Sequence, residues 1–253
     1  MELLLIGAGN MGSAMLNGLC RYNITVVEKS RSRGEELKEK FSGVDVVDEI
    51  PDVTGKVVLL AVKPQVLPQL EVRGSAEAVV SILAGTPIAK LKEKIEANYY
   101  IRAMPNIAAL KQKSVTSVVG DVEFKEQALE ILGSIGKAIW LNSEKELDIA
   151  TGLGGSAPAW LAIVAEALAD GAVNLGLPRD KAQEYLGALF EGVGSVLEDT
   201  HPATFKDMVT SPGGTTAAGL YELEEGKVRS SFIKAMESCY CRAQKLARKE
   251  EMC

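Results

Sequence analysis

The sequence feature that most constrains the fold is a glycine-rich turn near the N-terminus, Gly7-Ala8-Gly9-Asn10-Met11-Gly12. It directly follows the apolar run Leu3–Ile6 and opens a segment with helical periodicity. In such a strand-turn-helix unit the first glycine permits a tight turn, the second lets the backbone approach a pyrophosphate, and the third lets helix and strand pack closely. The helix N-terminus also offers unpaired N–H groups to phosphate oxygens. The turn therefore predicts a dinucleotide-binding site at its five residues Gly7, Gly9, Asn10, Met11 and Gly12.

Short apolar runs alternate with amphipathic segments through the first 150 residues, a pattern typical of a parallel sheet covered by helices on both faces. The predicted strands are Leu3–Ile6, Thr25–Val27, Val57–Val62, Val79–Leu83, Tyr99–Arg102, Thr116–Val119 and Lys137–Leu141. The predicted helices between them are Met11–Arg21, Arg31–Phe41, Pro64–Leu70, Ile88–Ala97 and Lys125–Leu132. We therefore expect an α/β fold in which residues 1–150 form a Rossmann-type, doubly wound parallel sheet.

Only helices are predicted for residues 151–253, which we expect to form a second, all-helical domain. Its first helix, Ala157–Leu175, is apolar nearly all the way around, so it must be buried on every side. Glu166 and Asp170 interrupt it too soon for a membrane span of about 20 residues. A core helix within one chain would explain this composition, but packing against a second subunit is the favoured interpretation. A terminal helix is predicted from apolar residues at spacings of four and three, namely Phe232, Met236, Cys239, Ala243 and Leu246, followed by the basic Arg248 and Lys249.

The residues after the second predicted strand give conflicting indications about the cofactor. Glu28 stands where a carboxylate usually accepts hydrogen bonds from the adenosine ribose, which favours NADH. The side chains that follow it suit a ribose 2′-phosphate and therefore NADPH; they are Lys29, Ser30, Arg31 and Arg33. A solvated start of the second helix explains the same residues equally well. The choice between NADP and NAD stays open, with the cations favouring NADPH.

A second glycine-containing loop, Ser211-Pro212-Gly213-Gly214-Thr215-Thr216, precedes the predicted helix Ala217–Glu224. Successive backbone N–H groups in such a loop can converge on a carboxylate, and a threonine hydroxyl can add a directed hydrogen bond. Helix capping alone would also account for the loop on local grounds.

Composition excludes several other classes of function. A net charge of −6 gives no cationic field for a nucleic acid. The single histidine, His201, precedes Pro202 and is expected at a surface or capping position, and four scattered cysteines predict neither a disulfide scaffold nor a metal site. The N-terminus lacks the pattern of a secretory signal, so a cytoplasmic location is expected.

Four further motifs stand beside the glycine turn: Ala61-Val62-Lys63-Pro64-Gln65, Met104-Pro105-Asn106, Gly155-Ser156-Ala157-Pro158-Ala159, and the stretch Lys206–Leu220. With them the chain resembles the pyrroline-5-carboxylate reductase family over essentially its full length. The resemblance implies reduction of pyrroline-5-carboxylate to L-proline by NAD(P)H, the last step of proline synthesis. It also implies a helical domain like the C-terminal domain of 6-phosphogluconate dehydrogenase, which interlocks two subunits and can build rings of dimers such as a decamer.

The resemblance also assigns site residues. Cofactor contacts are implied for Ala61, Val62, Lys63, Pro64 and Asn106, and substrate contacts for Ser211, Gly213, Gly214 and Thr216. Because a cyclic imine is readily protonated, the site must mainly orient it, and Thr216 is the candidate for the ring nitrogen. The chain departs from the family pattern at Ile107 and Ala108, where threonine and proline are usual, and at Ala157, where glycine is usual.

Three other functions remain open from the residues. A reductase of another cyclic imine, such as the six-membered homologue, would use the same loop. A β-hydroxyacid dehydrogenase needs a lysine on the first long helix of its second domain, and no lysine stands between Ser156 and Asp180. A non-catalytic NAD(P)H-sensing protein would not need the intact substrate loop.

Overall fold

The structure, a computed structural model, describes the backbone of residues 1–250 and the side chains of residues 1–245. The side chains of Leu246, Arg248 and Lys249, predicted above for the terminal helix, lie outside the described residues. The chain divides into two compact units. The first contains residues 1–156 together with residues 238–250, and the second contains residues 157–237.

The first unit is built on an eight-stranded sheet with the order β3-β2-β1-β4-β5-β6-β7-β8. The strands are β1 Glu2–Ile6, β2 Asn23–Val27, β3 Asp45–Val47, β4 Val57–Leu60, β5 Ala76–Ser81, β6 Ala97–Met104, β7 Ser114–Gly120 and β8 Gly136–Trp140. Neighbouring strands are parallel except β6 and β7, which pair antiparallel with Ile101 opposite Gly120. The predicted Rossmann-type sheet is confirmed, but β7 and β8, which are parallel to each other, run opposite to the other six strands, and this reversal was not predicted.

The reversal of direction between β6 and β7 has a local cause. β6 and β7 are joined by a short segment that contains only the 3-10 turn Ile107–Lys111. A parallel return needs a crossover of a dozen or more residues, so a connection of this length brings the chain back antiparallel. The three-residue edge strand β3 was also missed, because a run this short carries too little periodicity to be recognised.

The helices of the first unit largely follow the predicted ones. They are α1 Asn10–Leu19, α2 Arg31–Lys40, α3 Ile88–Lys94, α4 Lys125–Gly133 and α5 Glu144–Ala150, with a π-helical segment at Thr151–Ser156. Shorter 3-10 turns cover Pro64–Gln69 and Val122–Phe124. The first of these was predicted as an ordinary helix, but Pro68, its fifth residue, has no N–H to donate and prevents regular α-helical bonding.

The first strand shows why the sheet is covered on both faces. Leu3 and Leu5 belong to one cluster of buried side chains, and Leu4 and Ile6 belong to another. Because successive side chains of a strand point to opposite faces, both faces of the sheet are buried. This burial explains the uninterrupted apolar run before the glycine turn.

The second unit is helical, as predicted for this part of the chain. Its helices are α6 Ala157–Asn174, α7 Arg179–Val196, α8 Pro202–Met208 and α9 Thr215–Glu225, followed by α10 Val228–Glu250, which continues past residue 238. Within α6 and α7 only Ala169 and Ala182 are buried. Large apolar side chains are exposed on the same helices, including Leu161, Ile163, Leu168, Tyr185 and Leu189.

One helical stretch among the described residues, Glu144–Asn174, is long and apolar enough to span a membrane, and 11% of its most apolar window is buried. This finding rests on the length and composition of the stretch alone. It shows that Glu166 and Asp170 do not by themselves exclude a membrane span. A helix that buries its apolar surface against another subunit satisfies the same criteria.

Candidate active site

The glycine turn lies where the order of strands changes direction in the sheet. β1 sits between β2 and β4, so the chain leaves β1 toward one side and later returns on the other. The turn is fixed to both neighbours: the Gly7 N–H donates to the Val27 carbonyl at 3.1 Å, and the Ala61 N–H donates to the Ile6 carbonyl at 2.9 Å. Ligands of open α/β sheets bind at such a switch point, beyond the carboxyl ends of the strands.

Two of the three glycines are required by the protein itself. Gly7 has φ +97°, which side chains rarely adopt, and a Cβ on Gly12 would lie 2.2 Å from the Gly7 carbonyl oxygen. Gly9 differs, because a Cβ there would meet no atom within 4 Å. Gly9 is also the N-cap of α1 and makes no side-chain capping bond. The open space above Gly9 and the uncapped helix end fit an incoming pyrophosphate.

A groove extends from the glycine turn along the sheet edge. Its first part is a cavity of about 420 Å³ lined by Gly9, Asn10, Met11, Arg33, Ala61, Val62 and Lys63. A second cavity of about 260 Å³ shares Met11 and the segment Ala61–Lys63 and is further lined by Pro64, Ile82, Leu83, Ala84, Met104 and Pro105. Of the predicted residues, Gly9, Asn10, Met11 and the Ala61–Pro64 turn thus line this groove, whereas Gly7 and Gly12 do not. Ile82, Leu83 and Ala84 were not predicted, because an apolar strand end carries no chemical signal.

The side chains after β2 separate into different environments. The Glu28 carboxylate accepts a hydrogen bond from the Ser30 N–H at 2.9 Å. Arg31 pairs with Glu35 at 3.2 Å, and its side chain is 94% exposed. Lys29 lines a separate, strongly charged cavity with residues of the Asp48–Asp52 segment. Of the four candidates for a 2′-phosphate, Arg33 is the one that lines the cavity at the glycine turn.

Asn106, also predicted to contact the cofactor, is buried and lines neither part of the groove. Its side-chain N–H donates to the Gly154 carbonyl at 2.8 Å, and its side-chain oxygen accepts from the Ala108 N–H at 3.0 Å. A proline at position 108, usual in the resembling family, could not donate this second bond. The departure at Ala108 therefore adds a contact that holds Asn106.

The Ser211–Thr216 loop lies in the second unit. Gly213 adopts φ +68°, and a Cβ on Gly214 would lie 2.3 Å from the Ser211 Oγ. The Gly214 N–H already donates to the Ser211 carbonyl at 3.0 Å. The N–H groups of the first turn of α9, beginning at Thr215, are therefore the donors that an anion would meet. The Gly214 N–H thus closes the turn of the loop.

The structure also separates capping from binding in this loop. Gly214 is the N-cap of α9, without a side-chain capping bond, and Thr216 is the second helical residue. Thr216 is half-buried, whereas Thr215 is exposed. Thr216 is therefore not the helix cap, because Gly214, two residues earlier, occupies that position.

Other polar groups of the second unit have structural roles. His201 caps α8, where its Nδ1 accepts a hydrogen bond from the Ala203 N–H at 3.3 Å, as expected for a capping residue. The Arg229 guanidinium hydrogen-bonds Glu224 and thereby lowers the pKa of that carboxyl at the end of α9. Within the part of the chain whose side chains are described, no three His, Cys, Asp or Glu residues come together as a metal-binding group.

The sheet order, the glycine turn and the groove define a dinucleotide-binding protein of the Rossmann class. Residues 2–85 match the family described as NADP oxidoreductase, coenzyme F420-dependent, and residues 144–246 match the family described as pyrroline-5-carboxylate reductase dimerisation. The chain is 34% identical to the pyrroline-5-carboxylate reductase of Thermus thermophilus, an alignment that covers 99% of this chain and 100% of that protein. It belongs to the pyrroline-5-carboxylate reductase family.

Solved structures agree with this assignment. A pyrroline-5-carboxylate reductase from Coxiella burnetii is similar with a TM-score of 0.86 at 28% identity, covering 97% of this chain and 98% of that one. Plasmodium falciparum pyrroline carboxylate reductase, solved with NADP bound, shares the fold with a TM-score of 0.79 at 23% identity and covers 98% of both chains. The predicted family, fold class and NAD(P)-dependent oxidoreductase activity are confirmed.

Proposed function

We propose that this protein reduces pyrroline-5-carboxylate to L-proline with NADPH or NADH, as the last step of proline synthesis. The observation that carries the proposal is family membership over nearly the whole chain, in which both the cofactor groove and the Ser211–Thr216 loop are present. When bound, the reduced nicotinamide supplies the hydride. The groove beyond the glycine turn would receive the nicotinamide beside Met104 and Pro105, where the lining is largely apolar.

The substrate would be held mainly by its carboxylate. The N–H groups that begin α9 supply donors for that anion, while the dipole of the 11-residue helix favours negative charge at this end. A ring fixed by its carboxylate can be aimed at the hydride donor, and such positioning can lower the barrier by several kcal/mol. Thr216 would then contact the ring nitrogen. Because a cyclic imine is protonated readily, this arrangement needs no strong acid from the protein.

One absorbance assay tests the reaction. NADPH and NADH oxidation are followed separately with the five-membered imine carboxylate, its six-membered homologue and a set of β-hydroxy acids. We expect fast turnover with the five-membered ring. Preference for the six-membered ring would keep the reaction class and change the substrate, whereas cofactor binding without turnover of any imine would contradict the proposal.

The role of Thr216 can be separated from that of its neighbour. Because Gly214 is the cap, Thr216→Ala should leave the melting temperature nearly unchanged. Loss of one directed hydrogen bond in the site should nevertheless lower kcat/KM by about tenfold to a thousandfold. The exposed Thr215→Ala is the matched control and should keep wild-type kinetics. If the two variants have the same kcat/KM, Thr216 does not contact the substrate.

Cofactor preference is proposed to depend on Arg33. Arg33 lines the groove at the glycine turn, whereas the exposed side chain of Arg31 pairs with Glu35. Arg33→Ala should raise the Kd for NADPH by about tenfold or more and change the Kd for NADH little, since a charge-assisted phosphate contact is lost. Arg31→Ala is the control and should affect both cofactors weakly. If Arg33→Ala weakens the binding of NADPH and NADH equally, Arg33 does not set the cofactor preference and Glu28 becomes the candidate.

The chain is proposed to act as a homodimer in the cytoplasm, with residues 1–150 as the cofactor domain and residues 151–253 as the substrate and dimerisation domain. The match of residues 144–246 to the family's dimerisation model supports this assembly. The exposed apolar side chains of α6 and α7 give the dimer a physical reason. Larger rings, such as a decamer, and the absence of metal and membrane partners belong to the same proposal.

A further inference from the structure

Asn106 follows Met104 and Pro105, which line the part of the groove proposed for the nicotinamide. Its own side chain turns away from that space and is only 7% exposed. A buried carboxamide costs free energy unless its donors and acceptors are paired, so its partners indicate its role.

The partners of Asn106 come from three separate segments. Its carboxamide joins the Gly154 carbonyl, at 2.8 Å, to the Ala108 N–H, at 3.0 Å. Its backbone N–H donates to the Ser114 Oγ at 3.0 Å, and Ser114 is in turn bonded to the buried Thr116 hydroxyl at 3.0 Å. The Gly154 carbonyl is an acceptor and the Ala108 N–H is a donor, so the orientation of the carboxamide is determined. A flipped carboxamide would place its oxygen against the Gly154 carbonyl and its NH2 against the Ala108 N–H.

The Gly154 end of this network lies directly behind the groove. Gly154 belongs to the π-helical segment Thr151–Ser156, where wide turns commonly mark functional positions. A Cβ placed on the adjacent Gly155 would lie 3.9 Å from the Met104 Cγ, so this segment backs the Met104 side chain. Asn106 thus ties the groove wall at Met104 and Pro105 to the π-helical segment.

We propose that Asn106 is a positioning residue for hydride transfer, which acts through Met104 and Pro105 and does not contact the cofactor. The inference rests on the proposed function, because it takes the 260 Å³ cavity as the nicotinamide site. Misplacement of reacting groups by about 1 Å can cost roughly a hundredfold in rate. Loss of the Gly154 bond should therefore slow the chemical step and leave cofactor affinity nearly intact.

Two substitutions remove that bond selectively. Asn106→Asp keeps an oxygen for the Ala108 N–H but cannot donate to the Gly154 carbonyl. Asn106→Ser avoids the repulsion between carboxylate and carbonyl, and its hydroxyl can still accept locally, so it covers the case in which the first variant fails to fold. The matched control is Asn98→Ser, since the exposed Asn98 donates to Glu77 at 2.8 Å at the opposite end of β6.

The measurements are the Kd for NADPH, kcat and KM for the imine, and the deuterium isotope effect on kcat with NADPH labelled at the transferred position. We expect kcat to fall about tenfold to a hundredfold with a larger isotope effect, and the Kd to stay within about threefold of wild type. A Kd raised more than about tenfold with an unchanged isotope effect would make Asn106 a cofactor ligand. A lower melting temperature with wild-type kcat and isotope effect would make it purely structural. Either result overturns the proposal, while absence of turnover in the wild type would instead contradict the proposed function.

Discussion

A single methyl group should destabilise the protein to very different extents at two glycines of the cofactor turn. Gly12→Ala places a Cβ 2.2 Å from the Gly7 carbonyl oxygen, so helix and strand must separate, and we expect a loss of at least about 2 kcal/mol in the free energy of unfolding. Gly9→Ala meets no atom within 4 Å and should cost less than about 1 kcal/mol.

Cofactor affinity distinguishes the same pair of variants. The alanine methyl at position 9 would occupy the space open to the pyrophosphate, so the Kd for NADPH should rise by about tenfold or more in a protein of normal stability. Denaturant unfolding and fluorescence titration of each variant check both expectations. Tight NADPH binding by Gly9→Ala would place the pyrophosphate elsewhere.

For individual residues, the sequence predicted the roles of backbone groups better than those of side chains. The spacing of Gly7, Gly9 and Gly12 was sufficient because it encodes a backbone geometry. For Arg31 and Arg33 it was insufficient, because Arg31 pairs with Glu35 on α2 while Arg33 lines the groove. Asn106 was grouped with the cofactor contacts for its position in a motif, yet its carboxamide is used by Gly154 and Ala108.

At the scale of elements, α5 is held against the sheet by one buried cation. Arg102 of β6 is 4% exposed and bonds Glu144 at 2.7 Å and Asp148 at 3.2 Å, one helical turn apart on α5. The Glu144 carboxylate also accepts the Ile88 N–H at 3.0 Å, which ties α3 to the same cluster. This ion-pair cluster therefore fixes the helix that leads into the π-helical segment.

Arg102→Met should destabilise the protein by about 2 kcal/mol. The loss is expected to be smaller than for a fully buried pair, because Glu144 and Asp148 are 37% and 22% exposed and water can hydrate them once the guanidinium is gone. The exposed pair Arg31–Glu35 supplies the control, and Arg31→Met should change stability by less than about 1 kcal/mol. Similar denaturation midpoints for the two variants would show that burial adds nothing to the Arg102 cluster.

At the scale of the whole molecule, the helices α6 and α7 leave an apolar surface that one chain does not cover. Ile163 of α6 is 63% exposed, and stable interfaces bury about 800 Å² on each partner. We expect the protein to remain dimeric at nanomolar concentration in analytical ultracentrifugation, and Ile163→Glu to yield monomers or unfolded protein.

The matched control is Val122→Glu in the first unit, where the replaced side chain is 64% exposed. This variant should sediment as the wild type does, because its charge does not enter the dimer surface. A stable, active monomer of wild-type protein would contradict the dimer. Lipid vesicles provide a further test. If both the wild-type protein and the dissociated Ile163→Glu variant bind to them, the Glu144–Asn174 stretch has a membrane role.

The features that can be predicted from the sequence are those that depend on local rules: the alternation of apolar runs and amphipathic segments in the first unit, the glycine turn after β1, and the apolar character of α6. Each is encoded in neighbouring residues through periodicity or backbone sterics. Only the tertiary fold shows that Arg33 rather than Arg31 lines the groove and that Asn106 turns toward Gly154. These depend on which distant segments share a surface, because a polar side chain is directed by the partners that burial brings within hydrogen-bond distance.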